Sequence, residues 1–185
     1  MNNYVNAGTG LKKVYIAEVG TLVCTILAFI PIINILAAVA ALVFVVISLV
    51  GLYQAGKDIP GCKTAFILTI VSSVCSLLGY FGGIISTLIS IVTTVLSFLV
   101  MYYVCTSVAE VMNSIQQPDI AQRGQTVWKI SLGCSIASVV FQLLVLIPGF
   151  AIIATIASVV VAIISIVNVV LFMLFLGKSS AALGA

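Results

Sequence analysis

The sequence contains no histidine. That removes the commonest general base, proton shuttle and metal ligand together. Charge is almost as scarce. Charged residues make up 6% of the chain, with seven basic and four acidic side chains, where an ordinary soluble domain carries roughly 25%. So few charges cannot cover a surface that faces water. Cysteine pairs are missing too. The five cysteines, Cys24, Cys62, Cys75, Cys105 and Cys134, form no CxxC pair, and their odd number gives no disulfide framework. They read as small packing residues. Cys62 and Cys105, at the edges of apolar runs, also have the position of acylated juxtamembrane cysteines. There is no Ser-His-Asp set, phosphate-binding loop, metal-ligand cluster or pair of intramembrane carboxylates. The chain is therefore expected to be no enzyme and to hold no cofactor or metal. Its basic residues form no stripe, which argues against nucleic acid as a partner.

What the sequence has instead is apolar length. Of its 185 residues, 63% are hydrophobic. A bilayer core of about 30 Å needs roughly 20 apolar residues per helix. The runs predict an all-α integral membrane protein with six transmembrane helices, over residues 14–30, 32–53, 64–81, 84–104, 127–147 and 150–176. They pair as three sequential helical hairpins in one polytopic domain, 1–185. Residues 1–13 and 177–185 are expected to be short cytoplasmic tails, with residues 1–10 disordered or a cap. The first run passes through Pro31 into the second without a polar cleavage region, so it reads as a retained helix. One unbroken helix of about forty residues would be about 60 Å long, twice the bilayer, so Pro31 marks a turn and not a kink. Gly82-Gly83 and Pro148-Gly149 mark the other two tight turns. Between hairpins lie the polar turn QAGKDIPG, 54–61, and a longer connection, 105–128. In the latter, the helix is expected to continue through Ile115 and to break at Gln116-Gln117-Pro118-Asp119. Asp119 or Thr126 is the candidate cap of the next helix.

The hairpins resemble one another. A shift of 51 residues sets Tyr15 on Phe66, Cys24 on Cys75 and Pro31 on Gly82, and Thr126-Val127-Trp128 answers Thr64-Ala65-Phe66. Units of two crossings each share one orientation, so the repeat is parallel and not inverted. All seven basic residues, Lys12, Lys13, Lys57, Lys63, Arg123, Lys129 and Lys178, fall on one side of this arrangement, and the three tight turns are uncharged. Lys and Arg near helix ends are retained on the cytoplasmic face. Both termini are therefore expected in the cytoplasm, with the chain in the plasma membrane.

Few side chains in the runs suggest a site. Glu18 is the one acidic residue inside an apolar run. An intramembrane carboxylate is a candidate for cation coordination or proton exchange, but its shallow depth also suits a pairing with Lys63 or Lys129 at the bundle edge. Asn34, Gln142 and Asn168 are the strongest neutral polar groups, and such residues most often bond to a neighbouring helix. The fourth run carries Thr87, Ser90, Thr94 and Ser97 at spacings of three and four, continued by Met101, on one helical face. The third run offers Thr69, Ser72, Ser73 and Ser76 on a comparable face. These stripes either pack helices closely, with hydroxyls bonded to their own carbonyls, or face each other along a polar path. With no chemistry in sight, the leading expectation is a non-enzymatic subunit or partner in a membrane complex. Its partners would be the lipid bilayer and a protein partner or second copies of itself. The alternatives are a small channel or transporter for a small neutral solute or cation, and a membrane-shaping hairpin protein.

Overall fold

The computed structural model of the chain describes residues 4–28, 30, 33–78, 83–145 and 151–184. These residues form six α-helices and no strand: α1 Val5–Leu27, α2 Asn34–Ala55, α3 Pro60–Leu78, α4 Gly83–Ser114, α5 Pro118–Val145 and α6 Ala151–Ala182. Within them, Asn34–Ala55, Ser86–Ser114, Pro118–Leu144 and Val159–Ala182 are long and apolar enough to cross a membrane, and Pro60–Ser76 is a shorter apolar helix. α1 has the length, at 23 residues, but carries Lys12, Lys13 and Glu18 along its middle. Helices satisfy every interior backbone hydrogen bond within themselves, which is why apolar runs in lipid take this form. The chain is a membrane-embedded helical protein. The expected turn residues Pro31, Gly82, Pro148 and Gly149 lie outside the described residues; Gly83 opens α4.

Each helix packs chiefly on its neighbours in chain order, and α6 closes against α1, so the six form a ring. The α1–α2 contact is the most extensive and α2–α3 the least. Burial concentrates at one end, called basal here. There the start of α1, the end of α2, the start of α3, the end of α4, the start of α5 and the end of α6 converge on one core. Leu11, Ile59, Val104, Val108, Met112 and Phe175 are fully buried in it. Toward the far end large apolar side chains point outward. Ile35 is 78% exposed and Leu36 71%. The whole chain exposes 10573 Å², against roughly 8,500 Å² for a compact globule of its mass. Apolar faces of this kind suit lipid and not water.

The basal core explains why the helices outrun the expected spans. α1 begins at Val5, inside the stretch expected to be a tail, because Ala7, Gly8, Gly10 and Leu11 are buried. Asp58, from the α2–α3 connection, accepts from the Ala7 backbone N–H at 2.8 Å and from Asn6 Nδ2 at 3.2 Å. A carboxylate there satisfies an orphan amide of the first turn and opposes the positive end of the helix dipole. The 105–128 connection is mostly helix for the same reason: Val108, Met112, Ala121 and Val127 are buried in the core. Its break is short. Gln116 takes a positive φ of 60°, Gln117 N–H donates to Met112 O at 2.8 Å and Gln116 N–H to Asn113 O at 3.2 Å. That is a Schellman stop, followed by Pro118 at the first position of α5, where its missing N–H costs nothing. Asp119 lies in the first turn of α5. Thr126 is no cap; it sits inside the helix and donates to Gln122 O at 3.1 Å. Cys62 and Cys105 are both 0% exposed in the core, so neither presents a thiol for acylation.

Candidate functional site

Backbones meet most closely where α1 crosses α2. A Cβ on Gly10 would lie 2.5 Å from Ala55 N and 2.6 Å from Gly51 O, and one on Gly51 would lie 2.7 Å from Gly10 O. Only glycine fits at such a crossing. A polar chain runs beside it: Lys13 Nζ donates to Gln54 Oε1 at 2.7 Å, and Gln54 Nε2 to Thr9 Oγ1 at 2.7 Å. Polar groups here are matched to one another.

The opposite side of the ring differs. Between α4, α5 and α6 lies a cavity of about 310 Å³, near the lower limit of volumes that hold small ligands. α4 lines it with Thr93, Thr94, Ser97, Phe98 and Met101; α5 with Ser131, Cys134, Ser135 and Ser138; α6 with Ser165, Asn168 and Val169. Along α5 it lies about 20–30 Å from the basal tip. Toward that tip, Tyr102 of α4 meets Trp128 of α5 edge-on, with ring centroids 5.4 Å apart at 90°. This aromatic contact holds the two helices in register.

Hydrogen bonds at the cavity wall begin on α4. Thr94 Oγ1 donates to Ser90 O at 2.8 Å, and Thr93 Oγ1 donates to the same carbonyl at 3.0 Å. With its proton committed, Thr94 Oγ1 accepts from Gln142 Nε2 at 3.2 Å. Asn168 is 4% exposed, and its Nδ2 donates to Met101 Sδ at 3.5 Å. Among the described residues, Asn168 Oδ1 is buried without a protein partner, as are Gln142 Oε1 and Ser179 Oγ, whose residues do not line the cavity. An unpaired buried acceptor costs about 1–3 kcal/mol. Such a group in a native structure has a reason, whether strain, an ordered water, an ion or a functional role.

Of the expected face on α4, Thr94 and Ser97 line the cavity; Thr87 and Ser90 do not. Thr87 is half-buried, and Ser90 has an exposed side chain and contributes its carbonyl. The expected partner face on α3 is not opposite. There Thr69 donates to Ala65 O at 2.8 Å, Ser73 to Thr69 O at 2.9 Å and Ser76 to Ser72 O at 2.9 Å, so these hydroxyls are spent on their own helix. What faces α4 across the cavity is Ser131, Cys134, Ser135 and Ser138, which the sequence reading passed over. Their spacing of three, one and three was the available signal. Glu18 is half-buried on α1 and is not a cavity residue. α1 packs on α2 and α6, so Lys63 on α3 and Lys129 on α5 do not sit on its neighbours. Asn34 is exposed at the start of α2.

The chain matches no protein-family model, and no curated protein and no solved structure matches it. Its function is therefore argued from this geometry.

Proposed function

We propose that this chain is a non-enzymatic channel or transporter for a small neutral solute, with the α4–α5–α6 cavity as its polar station within the membrane. One observation carries the reading. Asn168, 4% exposed, lines a hydroxyl-walled cavity and keeps a carbonyl without a protein partner. Packing alone supplies no reason to retain that cost, whereas an intramembrane polar group on a solute route is retained for function. All six helices cross the plasma membrane in this reading, as three hairpins in parallel repeat, with both termini and the basic residues cytoplasmic.

Purified protein in liposomes tests it. Urea or glycerol is expected to equilibrate faster than in protein-free vesicles, by stopped-flow light scattering. Ser135→Leu, which fills the cavity, is expected to return the rate to the protein-free value. Equal rates with and without the protein sink the proposal. For the topology, a cysteine substituted at Asn34 should react with an external impermeant thiol reagent on intact cells.

A second reading, a subunit of a membrane complex, is favoured by the ring's least extensive contact, between α2 and α3. The exposed apolar faces of α2, with Val39 57% and Leu42 68% exposed, suit a partner helix. Copurification in mild detergent distinguishes the readings; a strictly monomeric protein without a stable partner removes the second.

A further inference from the structure

We propose that the groove between the start of α5 and the end of α6 holds one membrane lipid, a zwitterionic glycerophospholipid whose headgroup carries a primary ammonium. The groove lies at the basal end and has a volume of about 370 Å³. Its wall carries two charges of opposite sign, Asp119 and Arg123. It shares no lining residue with the α4–α5–α6 cavity, so the proposal does not depend on whether the chain conducts a solute.

The order of side chains along the groove carries the argument. Asp119 lies in the first turn of α5, and Arg123 lies one turn further from the basal tip. α6 runs the other way and supplies Leu174, then Leu171, at increasing depth, with the buried Phe175 ring beside them. From the tip inward the wall therefore reads anion, cation, apolar. A phosphoethanolamine lipid reads ammonium, phosphate, acyl chain. The guanidinium fork of Arg123 suits phosphate oxygens. The Asp119 carboxylate only accepts, and a primary ammonium brings three donors. Both charged side chains are exposed, and an exposed pair at this helical spacing is weak, so neither is held by the other against a ligand. The apolar zone does not end at the groove. Val167, Leu171 and Leu174 share one face of α6, with Val167 55% and Leu174 49% exposed. That track lies where an acyl chain would run. A purely anionic headgroup would set a second negative charge beside Asp119, and a quaternary ammonium has no proton to donate to it.

Native mass spectrometry of the full chain in detergent tests this. Phosphatidylethanolamine, phosphatidylcholine and phosphatidylglycerol with identical acyl chains are added in turn. Phosphatidylethanolamine is expected to be retained several-fold more than either of the others. Asp119→Asn removes both the partner of the ammonium and the repulsion of a second anion, so it should shift the preference to phosphatidylglycerol. Arg123→Gln should lower retention of phosphatidylethanolamine several-fold. The unfolding midpoint in detergent checks that each variant is folded. Soluble glycerophosphoethanolamine, the same headgroup without acyl chains, is expected not to displace the lipid at equal concentration. Displacement would make the site one for a free headgroup and overturn the assignment to a membrane lipid. Equal retention of the three lipids by the unaltered chain means contact with bulk lipid only and overturns the proposal. A preference for phosphatidylglycerol in the unaltered chain, unchanged selectivity in Asp119→Asn, or undiminished retention in Arg123→Gln does the same.

Discussion

Small residues have opposite consequences on the two sides of this ring. On the α1–α2 side they are glycines, Gly10 and Gly51, and the backbones close until no Cβ fits between them. On the α4–α6 side they are serines and threonines, and about 310 Å³ stays open between the helices. Glycine adds nothing between two backbones, so contact is limited only by the main chains. A hydroxyl occupies volume and needs a partner, which its own helix can supply. Thr69, Ser73 and Ser76 do this on α3, where each of the three bonds ends on α3 itself. Size alone therefore does not say whether a stripe packs or lines a space. Nor does a hydroxyl's bond to its own helix, since Thr93 and Thr94 at the cavity donate to Ser90 O on α4; the rotation of the helix decides.

Substitutions can break or sharpen this contrast. The largest effect is expected from Gly51→Leu, whose side chain meets the Gly10 carbonyl and Val14. Overpacking a backbone crossing should cost about 3 kcal/mol or more, read as a large fall in the thermal unfolding midpoint in detergent. An unchanged midpoint would mean that the α1–α2 crossing is not needed for stability. Next is Asp58→Ala, which strips the acceptor from the first turn of α1. Loss of a helix cap costs about 1 kcal/mol, and Asp58→Asn should recover most of it, by the same measurement. Thr94→Val removes the partner of Gln142 and should cost about 0.6 kcal/mol, the average of such bonds in membranes, while reducing solute flux. Smallest is Ser73→Ala. It deletes a bond within α3 and should change stability by less than about 0.5 kcal/mol, with flux untouched. If Ser73→Ala reduced flux as much as Thr94→Val, the division between the two stripes would collapse.

Much of the fold was legible before any coordinates. Pro118 and the two glutamines before it mark the α4–α5 break, because a proline cannot continue the previous helix and is at home at the start of the next. Helix character was legible from the apolar runs. The basal extensions were not. Ala7, Gly8 and Gly10 look like a flexible tail by composition, and only their burial against α2 makes them helix. Thr126 was a candidate cap by residue type, but its place was decided once α5 began eight residues earlier. At the site, Thr94, Ser97 and Asn168 could be singled out as residues. Their grouping with α5 could not, because hydroxyls at helical spacing look alike whether they face a neighbour, a cavity or their own backbone.

The sequence by itself determined a helical membrane protein, since 63% apolar residues with 6% charge leave no other stable exterior. It also determined which residues are polar enough to matter inside lipid. Tertiary structure alone decided that α4 turns Thr93, Thr94 and Ser97 to the space it shares with α5 and α6, and that the glycines of α1 and α2 meet. These outcomes depend on how each helix is rotated about its axis. Helices apolar on every side carry little preference for one rotation, so the choice falls to the sum of contacts around the ring.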